Sequence, residues 1–142
     1  MDREDLLAKC EIFSEMSQDD LARLARVSVP RSYAAGQVII REGETAIAMF
    51  VISSGRVEVV KGVGHDDSVI LATLGPGDFF GEMALFEGFP RSATVRAVEN
   101  TECLALSRWD FLAELRAHPD MAVHMLALYT RKLRHAQESF TY

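Results

Sequence analysis

Between residues 27 and 106 the chain alternates short runs of valine, isoleucine and phenylalanine with glycine-containing turns. Apolar runs of about four to eight residues bounded by turn signals are typical of strands in an antiparallel sandwich or barrel. A parallel sheet would require long helices between its strands, and this region lacks such a pattern. We therefore expect an antiparallel, barrel-like core. The runs are QVIIRE, AMFVIS, RVEVVKG, SVILATL, ATVRAV and ECLALS.

Helical patterns precede this core. Ser17 and Asp20 have the spacing of a capping box, in which each side chain bonds to the other residue's backbone N–H. Apolar residues at helical intervals follow them. Residues 1–26 are therefore predicted to form N-terminal helices.

Helical patterns also follow the core. Ser107 and Asp110 repeat the capping-box spacing, and Pro119 suits the first residue of a further helix. Residues 107–142 are predicted to form two C-terminal helices. With strands over residues 27–106, this gives one α+β domain over the whole chain.

The last predicted helix carries apolar residues at alternating intervals of four and three, which is the spacing of a heptad seam. Such a seam suits either of two partners. It can pair with a second copy of the chain, giving a homodimer, or it can pack on the core of the same chain. The seam residues are Ala122, Leu126, Tyr129, Leu133, Ala136 and Phe140, with Met121, Met125 and Leu128 widening the apolar face.

Composition and charge limit the function classes. The chain has 142 residues, 49% hydrophobic and 25% charged, which is typical of one globular domain. Its formal net charge of -6 repels phosphate backbones, so we expect no direct nucleic acid binding and interpret the basic run at 131–134 as a solvated face. No apolar run approaches the roughly 18 residues of a membrane span, and the start lacks an export signal. We expect a cytoplasmic protein without membrane contact.

The residues that usually bind metals or perform catalysis are dispersed. Cys10 and Cys103 have neither disulfide-framework nor zinc-site spacing. Metal-dependent jelly-roll enzymes need clustered ligands, and the four histidines do not supply them. We therefore expect no metal and no enzymatic activity.

One segment, GEMALFEGFPRSATVRA, carries the chemistry of a binding site. Arg91 follows a proline and has a planar fork suited to two hydrogen bonds with a phosphate. Gly81 allows close backbone approach, and the short helix predicted after it exposes N–H groups. Glu82 would repel an anion unless it accepted a hydrogen bond from a sugar hydroxyl. Each charge alone has an ordinary structural explanation, but together they fit the sugar and phosphate of one nucleotide.

The segment closely resembles the phosphate-binding cassette of cyclic-nucleotide-binding domains. Bacterial catabolite-activator-type regulators, regulatory subunits of cyclic-AMP-dependent kinases and nucleotide-gated channels share this module. The resemblance extends from about Leu6 to the last helix. The motif GE-x-A-L followed by P-R-x-A-T is met at Gly81, Glu82, Ala84, Leu85, Pro90, Arg91, Ala93 and Thr94.

The resemblance implies an antiparallel β-roll, similar to a jelly roll, with a short helix in the cassette. The cassette, residues 81–97, would hold a cyclic nucleotide, with Arg91 on the cyclic phosphate and Glu82 on the ribose 2′-hydroxyl. The other residues expected to bind are Gly81, Met83, Ala84, Ser92 and Ala93.

The resemblance leaves the base less defined. Serine after the cassette arginine favours cyclic AMP over cyclic GMP, so Ser92 points to cyclic AMP while cyclic GMP stays open. Family members also cap the base from the last helix, which here brings Ala136 and Gln137 near it, and Gln137 is the residue able to hydrogen-bond a purine. Neither matches the polar pair of the bacterial regulators.

The sequence therefore predicts a sensor that binds cyclic AMP and signals through movement of its C-terminal helices. A nucleotide-free interaction domain is the alternative, although it would have no use for Glu82 and Arg91. The downstream effector is unknown. The family's regulators usually carry a DNA-binding domain after the long helix, and the chain stops at Tyr142 before one, as a stand-alone sensor or a piece of a longer protein.

Overall fold

The computed structural model describes residues 2–138. Four α-helices lie at the two ends of this part of the chain. They are α1 (Arg3–Ala8), α2 (Gln18–Val27), α3 (Arg108–Ala117) and α4 (Asp120–Glu138). Two short 3-10 helices, Glu11–Phe13 and Glu82–Leu85, complete the helical elements. Within residues 2–138 no helix is long and apolar enough to span a bilayer.

The strands form two antiparallel sheets of four strands each. One sheet has the order β1-β8-β3-β6 and the other β2-β7-β4-β5. The α+β roll with N-terminal helices, a cassette helix and two C-terminal helices is thus confirmed. The strands are β1 (Val29–Tyr33), β2 (Val38–Ile40), β3 (Ala48–Ser54), β4 (Val57–Lys61), β5 (Val69–Leu74), β6 (Phe79–Phe80), β7 (Thr94–Ala97) and β8 (Thr101–Ser107).

Each of the six apolar runs forms a strand, and the structure adds two strands that the runs did not include. β1 contains Pro30, which cannot donate a backbone hydrogen bond and therefore weakens the strand signal. The structure tolerates this proline because β1 lies at a sheet edge. β6 has only two residues, Phe79 and Phe80, too few to show an alternating pattern.

β3 separates two apolar cores because successive side chains point to opposite faces. Met49 and Val51 pack against the helices, whereas Phe50 and Ile52 pack between the two sheets. Both faces are buried, which explains the unbroken apolar run of this strand. The helix-side core includes Leu7, Phe13, Leu24, Leu85, Leu106, Phe111, Met121, Met125 and Leu128.

The capping box at Ser17 is confirmed. The Ser17 hydroxyl accepts from the Asp20 N–H at 3.1 Å, and the Asp20 carboxylate accepts from the Ser17 N–H at 3.1 Å. At Ser107 the hydroxyl accepts from the Asp110 N–H at 3.1 Å. It also donates to the Asp110 carboxylate at 2.9 Å, so this cap differs from the predicted reciprocal box.

Asp20 connects the start of α4 to α2. Asp20 is 4% exposed, and its carboxylate lies 2.9 Å from Nδ1 of His124 and 3.1 Å from Nη1 of Arg23. Burial opposes the ionised form, but hydrogen bonds from Ser17 and His124 outweigh it and lower the pKa of Asp20 below its usual value. This buried contact fixes the first turns of α4.

Surface ion pairs hold the later turns of α4 to the N-terminal segment. Arg131 pairs with Glu15, and Lys132 Nζ lies 3.1 Å from the Glu11 carboxylate. All four side chains are at least 41% exposed, so each pair contributes about 0 to 1 kcal/mol.

The predicted heptad seam on α4 divides into contacts and exposed residues. Met121, Met125 and Leu128 are buried against the helix-side core. Leu126 and Leu133 of the seam are 64% and 62% exposed. The residues that widen the seam therefore pack on the same chain, whereas these two leucines do not. Phe140 lies outside the described residues.

Candidate functional site

The turn at Gly81 begins the cassette helix. Gly81 has φ +79°, in the left-handed region that side chains with a Cβ adopt at a cost. It is the N-terminal cap of the 3-10 helix Glu82–Leu85, which occupies the position predicted for a short helix. Ala84 and Leu85 are buried beneath it, whereas Glu82 is half-buried. The turn therefore presents Glu82 at the surface of the roll while the helix packs on its other side.

Gly81 also has little space around it for a side chain. A Cβ at this position would lie 2.6 Å from Nη1 of Arg91 and 3.2 Å from the Ala48 carbonyl oxygen. Real Cβ atoms do not approach other atoms at 2.6 Å, so an added methyl group would displace the guanidinium. Gly81 therefore suits the left-handed turn and leaves room for the observed position of the Arg91 guanidinium.

The Arg91 guanidinium lies at the start of β3, in the sheet of order β1-β8-β3-β6. Its Nη2 donates to the Ala48 carbonyl oxygen at 2.6 Å, and its Nη1 lies 3.4 Å from the Gly81 carbonyl oxygen. Burial lowers the pKa of Arg91, and the nearby carboxylates of Glu44 and Glu82 act in the opposite direction. Arginine remains protonated at neutral pH, so the site keeps a fixed positive charge.

The backbone at Arg91 is held by the loop after β2. The Arg91 N–H donates to the Glu44 carbonyl oxygen at 2.7 Å, and the Gly43 N–H donates to the Arg91 carbonyl oxygen at 2.8 Å. Thr45 and Pro90 form an isolated antiparallel bridge beside them. These bonds join the cassette arginine to residues more than 40 positions earlier in the chain.

A cavity of about 250 Å³ lies between the cassette and the inner face of the second sheet. Its floor is apolar, with Ile40, Val59 and Val95 from β2, β4 and β7. An apolar floor with a few charged groups at its wall is the usual composition of a small-molecule site. The predicted residues that line it are Gly81, Glu82, Met83, Ala84, Arg91, Ser92 and Ala93.

Gln137 is the one predicted binding residue outside this cavity. It lies on α4 and is exposed, and among the described residues it does not line the cavity. The structure therefore brings together the cassette residues but leaves the base-capping position of the last helix apart from them.

Glu82 and Arg91 line the same cavity without neutralising each other directly. Within residues 2–138, no ion pair joins the two side chains. They are close enough for the Glu82 charge to act on the pKa of Arg91. A molecule in the cavity therefore meets an acceptor carboxylate and a donor guanidinium at separate points of the wall.

The family model described as "Cyclic nucleotide-binding domain" matches residues 30–118. The chain belongs to this family. The match includes the complete cassette, residues 81–97, and all eight strands except the first residue of β1.

Similar proteins of the cyclic nucleotide-binding domain family include receptors and kinase subunits. The chain is 42% identical over 106 residues to the cyclic AMP receptor protein of Thermus thermophilus, covering 75% of this chain and 49% of that protein. It is 34% identical over 112 residues to the cAMP-dependent protein kinase regulatory subunit of Dictyostelium discoideum, covering 76% of this chain and 34% of that protein. The chain thus spans half or less of the length of these relatives.

Among solved structures, the chain is similar to the N-terminal domain of a transcriptional regulator from Streptomyces coelicolor. The TM-score is 0.88 at 27% sequence identity, and the similarity covers 94% of this chain and 96% of that domain. The similarity therefore extends beyond the roll to most of the residues at its two ends.

In this cyclic nucleotide-binding domain, the cassette also contacts the C-terminal helices. The Phe86 ring lies edge-on to Phe111 of α3 and Tyr129 of α4, with centroids 5.6 Å and 5.9 Å apart. Leu85 is buried in the same core as Met125 of α4. The residues that follow Glu82 thus connect the cavity wall directly to α4.

Tyr129 contacts the cassette, whereas the sequence predicts for it only a place in the heptad seam of α4. Burial raises the pKa of Tyr129, and the charges of Glu82 and Glu11 raise it further. Its phenol oxygen is buried and, within residues 2–138, has no hydrogen-bond partner. An aromatic residue at a heptad position signals packing, but nothing in the sequence indicates that it packs against the cassette.

Within the described part of the chain, no group of three or more histidine, cysteine or acidic side chains is arranged to hold a metal ion. Cys10 and Cys103 are both free and buried, and burial raises the pKa of each thiol to about 12. Buried thiols with such a pKa are poor nucleophiles at neutral pH.

Proposed function

We propose that the chain is a sensor module that binds cyclic AMP in the cassette cavity. The observation that carries this proposal is that Glu82 and Arg91, which form no ion pair with each other, line one cavity with an apolar floor. A cyclic nucleotide offers one hydroxyl donor, one anionic group and one large apolar base, and these match the three parts of the cavity.

In this proposal Arg91 binds the cyclic phosphate. The guanidinium carries more N–H donors than its contacts with the Ala48 and Gly81 carbonyl oxygens use. Glu82 accepts a hydrogen bond from the ribose 2′-hydroxyl. Gly81, Met83, Ala84, Ser92 and Ala93 complete the wall.

Cyclic AMP is proposed over cyclic GMP on two grounds. Ser92 follows the cassette arginine, and the similar proteins above are named for cyclic AMP. Gln137 would contact the purine only after α4 approached the cavity, because it is exposed and outside the cavity in the described structure.

We propose that this approach of α4 is the signal. Phe86 and Leu85 belong to the segment that follows Glu82 and pack against α3 and α4, so a shift of the cassette on binding is transmitted to both helices. Cyclic AMP shifts this equilibrium only by its differential affinity for the two arrangements. Contact between Gln137 and the base would supply such a difference.

The proposed sugar contact predicts a specific loss in Glu82→Gln. We expect this variant to bind cyclic AMP about tenfold or more weakly than the wild-type chain, since hydrogen bonds to charged groups contribute about 1.5 to 3 kcal/mol. Its affinity for 2′-deoxy cyclic AMP should change little, because that nucleotide lacks the donor. Isothermal titration with both nucleotides measures the difference.

Glu87→Gln is the matched control, because Glu87 is an exposed carboxylate that lines the same cavity. Equal losses for the two nucleotides in Glu82→Gln would contradict the sugar contact. Thermal-shift measurements of the wild-type chain with cyclic AMP, cyclic GMP and AMP test the function as a whole. Absence of any shift with both cyclic nucleotides would reject it.

We propose that the exposed seam of α4 pairs with a second copy of the chain. Leu126 and Leu133 are exposed at positions seven residues apart, on a side of the helix that the buried methionines do not occupy. Sedimentation velocity at tens of micromolar should give a dimer, and Leu126→Glu with Leu133→Glu should give a monomer. A wild-type monomer at this concentration would reject the pairing.

We further propose that residues 1–142 form one regulatory module without catalytic activity or a metal, acting in the cytoplasm. The helices at both ends pack on the same roll through the helix-side core, which supports treating the chain as one unit. The net charge of -6 supports an effector other than nucleic acid bound by this chain itself.

A further inference from the structure

Lys61 is the last residue of β4 and reaches the cassette from the second sheet. Its Nζ donates to the Ser92 carbonyl oxygen at 2.8 Å. Ser92 is the residue directly after Arg91 and lines the cavity. A cation therefore contacts the cassette backbone at the residue that follows Arg91, from a position 31 residues earlier in the chain.

The peptide that Lys61 contacts joins two residues with free backbone donors. Ser92 and Ala93 both line the cavity. Within residues 2–138, neither the Ser92 N–H nor the Ala93 N–H donates a hydrogen bond. Unpaired N–H groups at a cavity wall beside an arginine form a preorganised set of donors for an anion. The orientation of the Ser92–Ala93 peptide sets where the Ala93 N–H points.

Lys61 carries a charge that no other contact neutralises. Among the described residues it forms no ion pair, and the nearby Glu42 carboxylate instead accepts from the Gly62 N–H at 3.0 Å. The Lys61 side chain is exposed, so its contact with Ser92 does not serve to pack apolar side chains. The bond to Ser92 is thus a polar contact at the rim of the cavity.

We infer that Lys61 is a positioning residue for the anionic end of the nucleotide. This inference rests on the proposed function. Lys61 holds the Ser92–Ala93 peptide so that the free Ala93 N–H stays at the cavity wall, and its ammonium adds a second positive charge to the cassette. A phosphate entering the cavity therefore meets two cations, one in direct contact and one acting through the peptide.

The test compares Lys61→Met and Lys61→Arg with the wild-type chain, using cyclic AMP as the probe in isothermal titration at several salt concentrations. We expect Lys61→Met to bind about three- to tenfold more weakly, because a charge-assisted hydrogen bond is lost at an exposed position. Its affinity should also depend less steeply on salt, since one cation is missing. Lys61→Arg should restore most of the affinity.

Lys9→Met is the matched control, because it removes the same charge from an exposed lysine at the end of α1. Amide NMR spectra of the nucleotide-free protein provide a second readout, in which Lys61→Met should shift the Ser92 and Ala93 signals. Wild-type affinity and salt dependence in Lys61→Met would overturn the inference while leaving cyclic AMP binding intact. If the wild-type chain binds no cyclic AMP, the inference fails together with the proposed function.

Discussion

Arg91→Ala is expected to weaken cyclic AMP binding by about ten- to 150-fold, the largest effect of any single side-chain truncation in the cavity. The range follows from losing at least one charge-assisted hydrogen bond of about 1.5 to 3 kcal/mol. The cyclic AMP affinity of Arg91→Lys should lie between those of Arg91→Ala and the wild-type chain, because lysine keeps the charge but lacks the planar guanidinium. Isothermal titration with cyclic AMP measures both.

The control for this prediction is Arg56→Ala, which removes an exposed arginine paired with Glu99. Thermal denaturation without nucleotide shows whether the variants fold. Arg91→Ala frees the Ala48 carbonyl oxygen but also removes a half-buried charge, so we expect only a modest change in stability. Unchanged cyclic AMP affinity in a folded Arg91→Ala protein would show that the phosphate binds elsewhere.

Gly81→Ala is expected to impair folding and binding together. The left-handed backbone at φ +79° costs an alanine about 1 to 2 kcal/mol, and the new Cβ would lie 2.6 Å from Nη1 of Arg91. Because the guanidinium must move, we expect cyclic AMP affinity to fall by about tenfold or more. Denaturant unfolding and titration measure the two effects separately.

Gly36→Ala separates backbone strain from displacement of Arg91. Gly36 has φ +86°, close to that of Gly81, but a Cβ there would have no neighbour within 4 Å. We therefore expect Gly36→Ala to lose stability while keeping its affinity for cyclic AMP. Equal affinities of the two variants would mean that the guanidinium position does not depend on Gly81.

The sequence was most informative where the site is contiguous. Glu82 and Arg91 are nine positions apart in one segment. A local sequence pattern therefore predicts both charged residues and the turn at Gly81 before the cassette helix. Most strands are equally predictable from the sequence, because short apolar runs and glycine turns are local properties. β1 and β6 were missed because a proline and a length of two residues obscure that local pattern.

Contacts from distant segments were beyond what local patterns indicate. The Ala48 carbonyl oxygen, Lys61 and Tyr129 reach the cassette from β3, β4 and α4, and only the pairing of the folded chain brings them there. Gln137 shows the same limit from the other side. The family resemblance implies that Gln137 contacts the base, but the position of α4 decides whether that contact forms. In the described structure Gln137 is exposed and does not line the cavity.

The unequal attachment of α4 has a mechanical consequence. Its first turns are fixed through the buried Asp20 carboxylate, whereas its later turns are held to the N-terminal segment by the exposed pairs of Arg131 and Lys132. Rotation of α4 about His124 would break these weak pairs and would also disturb the packing of Leu128 and Tyr129, which lie nearer to His124. Because the start of α4 is the more firmly held end, any displacement of this helix that keeps the contact between Asp20 and His124 is largest at the far end of the helix.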